Sequence, residues 1–185
     1  GDLIREHITG SEVMVVSDET VASFYLDALL AALTGLHITC QILPSGEKTK
    51  NLAVLTQLFD TMLEAECSRS VTVIALGGGV VGDLAGFAAA CYHRGVDFVQ
   101  VPTTLLAQVD SAVGGKTGVN HVLGKNMIGA FHQPRCVIID TETLATLEPR
   151  QFSAGIAEVV KYGLIGDPKF FDWLSDHMSE LLACN

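Results

Sequence analysis

Short apolar runs alternate along this chain with longer stretches in which apolar residues recur at helical spacing. One run, Val71–Leu76, is unbroken, rich in β-branched residues and without the alternation of a half-exposed strand, which is typical of a strand covered on both faces of a parallel sheet. With three other runs it predicts four strands. These predicted strands are Val13–Val16, Ile38–Leu43, Val71–Leu76 and Val96–Val101.

A predicted helix follows each of the first three strands. Ser17–Thr20 supplies N-cap chemistry for a helix that runs to about Leu33, and Val80–Ala90 forms another. Between them an amphipathic helix leads from about Lys50 to Glu66. The residues expected on its buried stripe are Leu52, Leu55, Leu58, Phe59 and Met62. Repeated strand–helix units with right-handed crossovers predict an α/β fold, a Rossmann-like parallel sheet with helices on both faces.

The segment Pro102–Phe131 breaks this rhythm. Its glycines, lysines and asparagines are too dense for a helix core and lie too close to apolar residues for a disordered linker. We therefore expect a long ordered loop, and such loops are usually functional. A short strand, Cys136–Asp140, and a short helix, Thr141–Leu147, follow it.

Two helices complete the chain, Arg150–Ile165 and Pro168–Ala183. Asp167 is suited to cap the second helix, with Pro168 at its first position. These two elements are too few to close a core of their own. We predict an α/β domain at residues 1–148 and, at residues 149–185, the beginning of an α-helical domain that either continues in the intact protein or is covered by a partner.

Composition narrows the class of protein. The formal net charge of −10 argues against nucleic acid or an anionic membrane as a partner. The middle of the chain, residues 67–161, holds seven acids and seven bases, so the whole acidic excess lies outside it. We find no signal peptide or membrane span and expect a cytoplasmic protein. The five cysteines stand far apart without a C-x-x-C pair, which predicts reduced, mostly core thiols.

The glycine triplet Gly77–Gly79 lies between a predicted strand and a predicted helix. Glycine permits positive φ and close approach of a ligand, and the helix N-terminus favours a phosphate. Gly77, Gly79 and Gly82 match the G-x-G-x-x-G spacing of dinucleotide sites, but no acidic residue follows about twenty positions later. The glycines by themselves fit a plain tight turn equally well.

Glu158 and Lys161 stand three residues apart on a predicted helix. A surface ion pair is one interpretation. The other follows from the apolar residues around Glu158, since a carboxylate with so little polar surface beside it is commonly paired, a metal ligand or catalytic. His93, His121 and His132 are possible metal ligands, but none is at helical ligand spacing from Glu158.

Four blocks carry a resemblance to a known family: GGGVVGDLAGF, YHRGVDFVQVPTTLLAQVDSAVGGKTGVN, GKNMIGAFHQP and AGIAEVVKYG. In this order they resemble the 3-dehydroquinate synthases, from about Asp18 to Trp173. The resemblance implies an NAD-binding domain, a divalent metal that is usually zinc and possibly cobalt, and a homodimer of chains about twice this length. It also implies cyclisation of the sugar phosphate 3-deoxy-D-arabino-heptulosonate 7-phosphate to 3-dehydroquinate with release of phosphate.

The resemblance assigns roles residue by residue. Positions that match cofactor contacts are Asp18, Glu47, Lys48, Lys50, Gly78, Gly79, Val80, Gly82, Asp83, Thr103, Thr104, Lys116, Lys125, Thr143 and Thr146. Positions that match substrate or catalytic residues are Asp110, Lys116, Asn126, Lys161 and Arg94, the last reaching across a dimer. Glu158 matches the one metal ligand in this part of the family's sequence. Asp83, expected in the first helical turn, is also suited to bond a ribose hydroxyl.

Two family histidines that complete the metal site have no counterpart here, so we expect a truncated and inactive piece of the enzyme. Two other enzymes stay open as alternatives, another sugar phosphate cyclase and a metal-dependent polyol dehydrogenase of the same superfamily. A non-catalytic nucleotide-binding domain is the third.

Overall fold

The computed structural model describes residues 2–183. Seven strands and six α-helices are described. The strands are β1 (Glu12–Asp18), β2 (His37–Leu43), β3 (Thr72–Gly77), β4 (Asp97–Pro102), β5 (Lys116–His121), β6 (Gly124–Phe131) and β7 (Cys136–Val137). The helices are α1 (Asp2–Arg5), α2 (Glu19–Ala32), α3 (Leu52–Glu64), α4 (Gly79–Cys91), α5 (Pro149–Gly166) and α6 (Pro168–Leu182). The helix α1 has no counterpart among the predictions.

Five of the strands form one parallel sheet in the order β2-β1-β3-β4-β7. Its two faces carry separate cores, as the side-chain alternation of a strand requires. Met14 and Val73 face α3 and α4, whereas Val13 and Ile74, one residue away, belong to the core on the α2 side. The predicted parallel sheet with helices on both faces is confirmed.

Local signals in the sequence set the helix boundaries. Asp18 accepts hydrogen bonds from Thr20 N and Val21 N at the start of α2, and Asp167 accepts one from Phe170 N at the start of α6. Both predicted caps are confirmed. On α3, Leu55, Leu58 and Met62 are buried as predicted and Phe59 is partly buried. Leu52 is 44% exposed, because it is the first residue of the helix and the buried stripe begins one turn later.

The prediction of a long loop at Pro102–Phe131 is wrong. A one-turn π-helix spans Ala107–Ser111, and β5 and β6 form an antiparallel ribbon. The glycines that suggested a loop are required by the ribbon: a Cβ on Gly118 would lie 2.5 Å from Ile128 O, and one on Gly129 would lie 2.0 Å from Thr117 O. Two backbones therefore approach each other where no side chain fits.

Two further expectations are adjusted. The last strand, β7, has two residues and pairs with β4 at the end of the strand order, so the predicted strand Cys136–Asp140 is too long. Cys67 is buried as expected, and burial raises the pKa of its thiol, but Cys40 and Cys91 are exposed. Cys184 lies outside the described residues. Between residues 2 and 183, no helix combines the length and the apolar composition that a bilayer crossing needs.

Candidate functional site

A cleft of about 510 Å³ lies between the N-terminal part of α4, the π-helical turn and the β5–β6 ribbon. It brings together four predicted site residues that are far apart in sequence: Asp83, Asp110, Lys116 and Asn126. The other lining residues are Ser111, Val113, Thr117, Gly118, Met127, Gly129, Ala130 and Phe131. Carboxylates, an ammonium group and an amide therefore share one wall with apolar side chains, a mixture suited to an anionic ligand rich in hydroxyl groups.

The glycine triplet connects β3 to α4 without an intervening loop. None of its three residues has a positive φ, so conformational freedom does not explain the glycines. Neighbouring side chains do. A Cβ on Gly77 would lie 2.7 Å from Val81 Cγ2, one on Gly78 would lie 3.0 Å from Thr104 Cγ2, and one on Gly79 would lie 2.8 Å from Ser111 Oγ.

The helix α4 begins at Gly79 with Gly78 as its N-cap, and no side chain caps it. Backbone N–H groups of its first turn therefore lack a side-chain acceptor and offer a favourable position for a phosphate. Asp83 is the fifth residue of the helix, so it lies in the second turn and not in the first, as the sequence suggested. Asp83 is the residue of α4 that lines the cleft, whereas Gly78, Gly79 and Gly82 line a separate, smaller pocket.

Lys50 is buried and does not line the cleft itself, but it contacts two residues that do. Its side chain is 5% exposed, and its Nζ bonds to the carboxylate of Asp83, which is 18% exposed. The same Nζ donates to Asn126 Oδ1 at 2.6 Å. Burial raises the pKa of Asp83 above its ordinary value, and this effect outweighs the hydrogen bond from Lys50, which lowers it. Lys50 thus joins a predicted cofactor residue to a predicted substrate residue.

Glu47 and Lys125 lie at the exposed rim of the same network. Asn120 Nδ2 donates to Glu47 Oε1 at 2.7 Å, and Lys125 Nζ lies 3.8 Å from the same oxygen. Sequence reasoning assigned no role to Asn120. The only signal for it was an amide side chain within the stretch that also holds Lys116 and Asn126.

Lys161 lies between two carboxylates, one of which, Asp110, lines the cleft. Its Nζ bonds to Glu158 and lies 3.7 Å from Asp110 Oδ1. The bond to Glu158 raises the pKa of Lys161 above its ordinary value. Glu158 Oε2 is buried, and within the described chain this ion pair is its only polar contact. The predicted ion pair is therefore present, and one of its two members, Glu158, is the predicted metal ligand.

No metal centre is complete in this part of the protein. Among residues 2–183, no three His, Cys, Asp or Glu side chains gather as they would to hold an ion. Glu158 could supply one ligand. Catalytic zinc takes three protein ligands and keeps one open position, so the remaining ligands would have to come from elsewhere.

Gln108 bonds to Thr143, one of the threonines predicted to contact a cofactor, a contact that the sequence did not reveal. Its Nε2 donates to Pro102 O at 3.2 Å, to Asp140 O at 3.1 Å and to Thr143 Oγ1 at 3.0 Å. Next to Pro102, Thr103 is 3% exposed, and its hydroxyl has no partner within the described chain. A buried hydroxyl without a partner is costly unless a ligand satisfies it. Thr146 is bonded to Tyr25 OH.

Three of the predicted residues that do not line the cleft are Asp18, Lys48 and Arg94. Asp18 caps α2 and accepts a hydrogen bond from Ser45 Oγ at 2.7 Å, so its carboxylate has a structural role here. Lys48 is exposed on the short 3₁₀ helix Glu47–Thr49. Arg94 is exposed and has a left-handed backbone with φ of +67°.

Comparison with known proteins identifies close sequence relatives. The family description "3-dehydroquinate synthase N-terminal" matches residues 40–154. A 3-dehydroquinate synthase from Nitrosococcus oceani is 66% identical over 181 residues, which are 98% of this chain and 50% of that protein. The enzyme of the same name from Azotobacter vinelandii is 62% identical over 96% of this chain and 48% of its own length. The chain thus spans about half the length of the curated relatives it matches.

Solved structures with the same fold include two related cyclases. The 2-epi-5-epi-valiolone synthase from Streptomyces hygroscopicus, solved with NAD⁺ and Zn²⁺, is 35% identical with a TM-score of 0.87 over 94% of this chain and 49% of its own. A 2-deoxy-scyllo-inosose synthase, complexed with carbaglucose-6-phosphate, NAD⁺ and Co²⁺, is 35% identical with a TM-score of 0.78, over 83% of this chain and 42% of its own. Glycerol dehydrogenase from Schizosaccharomyces pombe, 20% identical with a TM-score of 0.64 over 84% of this chain and 38% of its own, shares the fold alone.

Proposed function

This chain belongs to the 3-dehydroquinate synthase family, and from that membership we propose that it forms the nucleotide-binding half of a 3-dehydroquinate synthase. The intact enzyme would convert 3-deoxy-D-arabino-heptulosonate 7-phosphate to 3-dehydroquinate and release phosphate. The observation that carries the proposal is the position of Lys50, which bonds at once to Asp83 on the helix end suited to a nucleotide and to Asn126 on the wall suited to substrate.

The residues present fit a nicotinamide dinucleotide. The uncapped N-terminus of α4 would supply N–H groups for the diphosphate, and the hydroxyl of Thr103, unpaired within the described residues, lies beside the same turn. Thr103 N donates to Gly77 O at 3.0 Å, which fixes this threonine against the glycine triplet. Asp83 would accept hydrogen bonds from ribose hydroxyls. NAD, when bound, supplies the hydride acceptor and donor of the reaction, and the protein supplies orientation and charge.

Lys116, Lys161 and Asn126 would meet the substrate. An anionic sugar phosphate needs cationic partners, which Lys116 in the cleft wall and Lys161 beside Asp110 would supply. Because Asn126 Oδ1 accepts a hydrogen bond from Lys50, its Nδ2 is left as a donor towards the ligand. An amide donor and ammonium groups fixed in place before the reaction stabilise negative charge that develops on a substrate oxygen.

Glu158 would supply one carboxylate ligand to a divalent metal, zinc or possibly cobalt. Among residues 2–183 its buried oxygen has only the Lys161 ammonium as a partner, so it fits a role in which a second cation approaches it. Such a metal, when bound, polarises a hydroxyl or carbonyl oxygen. Since Glu158 cannot hold it alone, we propose that the other ligands belong to a longer protein of which this chain is a part.

Arg94 supports a homodimer. It is exposed and does not line the cleft of its own chain. A role in binding the substrate phosphate would therefore require that a second copy of the chain carry Arg94 to the cleft.

The deciding experiment is phosphate release from the heptulosonate phosphate by the intact protein with NAD⁺ and zinc. We expect release that depends on both additions. No release, combined with NAD⁺-dependent oxidation of a simple polyol such as glycerol, would favour a dehydrogenase. The 66% identity to a 3-dehydroquinate synthase, against 35% to the other cyclases, favours the heptulosonate phosphate among cyclase substrates.

A further inference from the structure

Asn120 lies at an irregularity in the β5–β6 ribbon. The pairing of the two strands shifts next to it, and it forms an isolated parallel bridge with Asn51. Its backbone N–H donates to Lys50 O at 2.9 Å. At this residue the backbone therefore leaves the ribbon ladder and joins the loop that holds Glu47 and Lys50.

Both ends of the Asn120 amide are used. Nδ2 donates to Glu47 Oε1 at 2.7 Å, and Oδ1 accepts a hydrogen bond from Asn126 N at 3.0 Å. Glu47 is on the predicted nucleotide side of the site, and Asn126, on the predicted substrate side, lines the cleft. One side chain thus contacts both sides at hydrogen-bonding distance.

Asn126 depends on these contacts for its conformation. Its φ is +56°, in the left-handed region that costs a residue with a Cβ free energy unless the surroundings hold it. The backbone N–H of Asn126 donates to Asn120 Oδ1, and Lys50 Nζ donates to Asn126 Oδ1. The direction in which Asn126 presents its amide to the cleft is therefore fixed by two residues outside the cleft lining.

We propose that Asn120 is a positioning residue that couples nucleotide binding to substrate binding. The inference rests on the proposed function, which supplies the two ligands. A nucleotide that orders Glu47 also orders the Asn120 amide, and through it the backbone of Asn126. When one ligand is bound, part of the site for the second ligand is already ordered. The nucleotide and the substrate should therefore raise each other's affinity by the same factor.

Asn120→Ser and Asn120→Asp separate the two contacts. Serine is too short to make either bond. Aspartate keeps the acceptor for Asn126 N–H but turns a carboxylate towards Glu47, so only the nucleotide side is disturbed. The control is Asn51→Asp in the same loop, which keeps the acceptor for Val54 N–H and loses the bond from Nδ2 to Lys48 O.

The measurement is calorimetric affinity of the intact enzyme for NAD⁺, with and without saturating 3-dehydroquinate. In the wild type we expect 3-dehydroquinate to tighten NAD⁺ binding by at least about fivefold. In Asn120→Ser this factor should fall to about one. In Asn120→Asp the ratio of NAD⁺ affinities with and without 3-dehydroquinate should also fall to about one, and NAD⁺ should bind about tenfold more weakly. In the absence of NAD⁺, this variant should bind 3-dehydroquinate as the wild type does. The Asn51→Asp control should keep the wild-type factor.

The inference is overturned by a wild-type factor of one in an enzyme that binds NAD⁺ and releases phosphate, or by an unchanged factor in Asn120→Ser. Equal loss of the factor in Asn51→Asp would also overturn it, because loop integrity alone would then explain the effect. Thermal unfolding checks that each variant is folded, and if Asn120→Ser is not, Asn120→Asp decides. A wild-type protein that binds no NAD⁺ would overturn the proposed function itself.

Discussion

Lys50 and Asp83 form an ion pair inside the protein, with 5% of the lysine side chain and 18% of the aspartate side chain exposed. The two residues are 33 positions apart in sequence, one in the loop after β2 and the other on α4. Asn126 on β6 completes the contacts of the ammonium group. The stability of the fold and the geometry of the cleft therefore depend on the same three side chains.

The first prediction concerns the charge of Lys50. Lys50→Met should lower the free energy of unfolding by about 3 kcal/mol at neutral pH, because it leaves the Asp83 carboxylate buried without a cation. Urea denaturation of the chain measures this. Lys169→Met is the control, since Lys169 is exposed and makes no ion pair between residues 2 and 183, and should change stability by less than about 0.5 kcal/mol. Equal effects of the two substitutions would contradict the prediction.

The second prediction concerns the pH dependence of stability. Burial raises the pKa of Asp83 above its ordinary value of 3.8. Between 3.8 and the raised pKa, the folded protein keeps a proton that the unfolded chain has lost. The contribution of this carboxyl to stability is therefore largest at low pH and falls as the pH rises through that window.

Asp83→Asn removes this titration. The unfolding free energy of the wild type minus that of Asp83→Asn should decrease as the pH is raised from about 4 to about 7. Urea denaturation across this range is the measurement, with the exposed Asp60→Asn as reference for the loss of one acid. A difference that stays constant, or one that increases with pH, would show that burial does not dominate at Asp83.

The third prediction concerns the contact of Gly79 with Ser111. Gly79→Ala should cost about 1–3 kcal/mol of stability, because the new Cβ would lie 2.8 Å from Ser111 Oγ. Ser111→Ala removes that oxygen, so the double variant should recover most of the loss in a double-mutant cycle by chemical denaturation. Gly166→Ala at the end of α5, where a Cβ meets no atom within 4 Å, should not destabilise the protein. No recovery in the double variant would mean that Gly79 is required for another reason.

The fourth prediction concerns metal. After desalting, the 185-residue chain should contain far less than one zinc ion per molecule by elemental analysis, because Glu158 alone is too weak a site. Its NAD⁺ affinity should not change with EDTA. In the intact enzyme, Glu158→Gln should abolish zinc retention, whereas Glu148→Gln, an exposed residue at the start of α5, should not. Stoichiometric zinc in the Glu158→Gln enzyme would mean that Glu158 is not a metal ligand and forms only a structural ion pair with Lys161.

Much of the fold could be predicted from the sequence, and for identifiable reasons. The apolar runs gave the first four strands of the parallel sheet, and Asp18 and Asp167 marked the starts of α2 and α6. The four sequence blocks identified the family. Strand patterns, caps and motifs are set by residues a few positions apart, so they can be recognised along the chain itself.

Only the tertiary structure revealed the features that depend on contacts between segments far apart in sequence. It turned the glycine-rich Pro102–Phe131 stretch into a ribbon, where Gly118 and Gly129 leave room for the opposite strand. It showed why residues 77–79 are glycines: a Cβ there would lie too close to the side chains of Val81, Thr104 and Ser111. It also buried Lys50 between Asp83 and Asn126 and placed Asn120 against Glu47, contacts between residues 33 to 76 positions apart. Such contacts arise only when sheet, helix and ribbon pack together, and no local pattern records that packing.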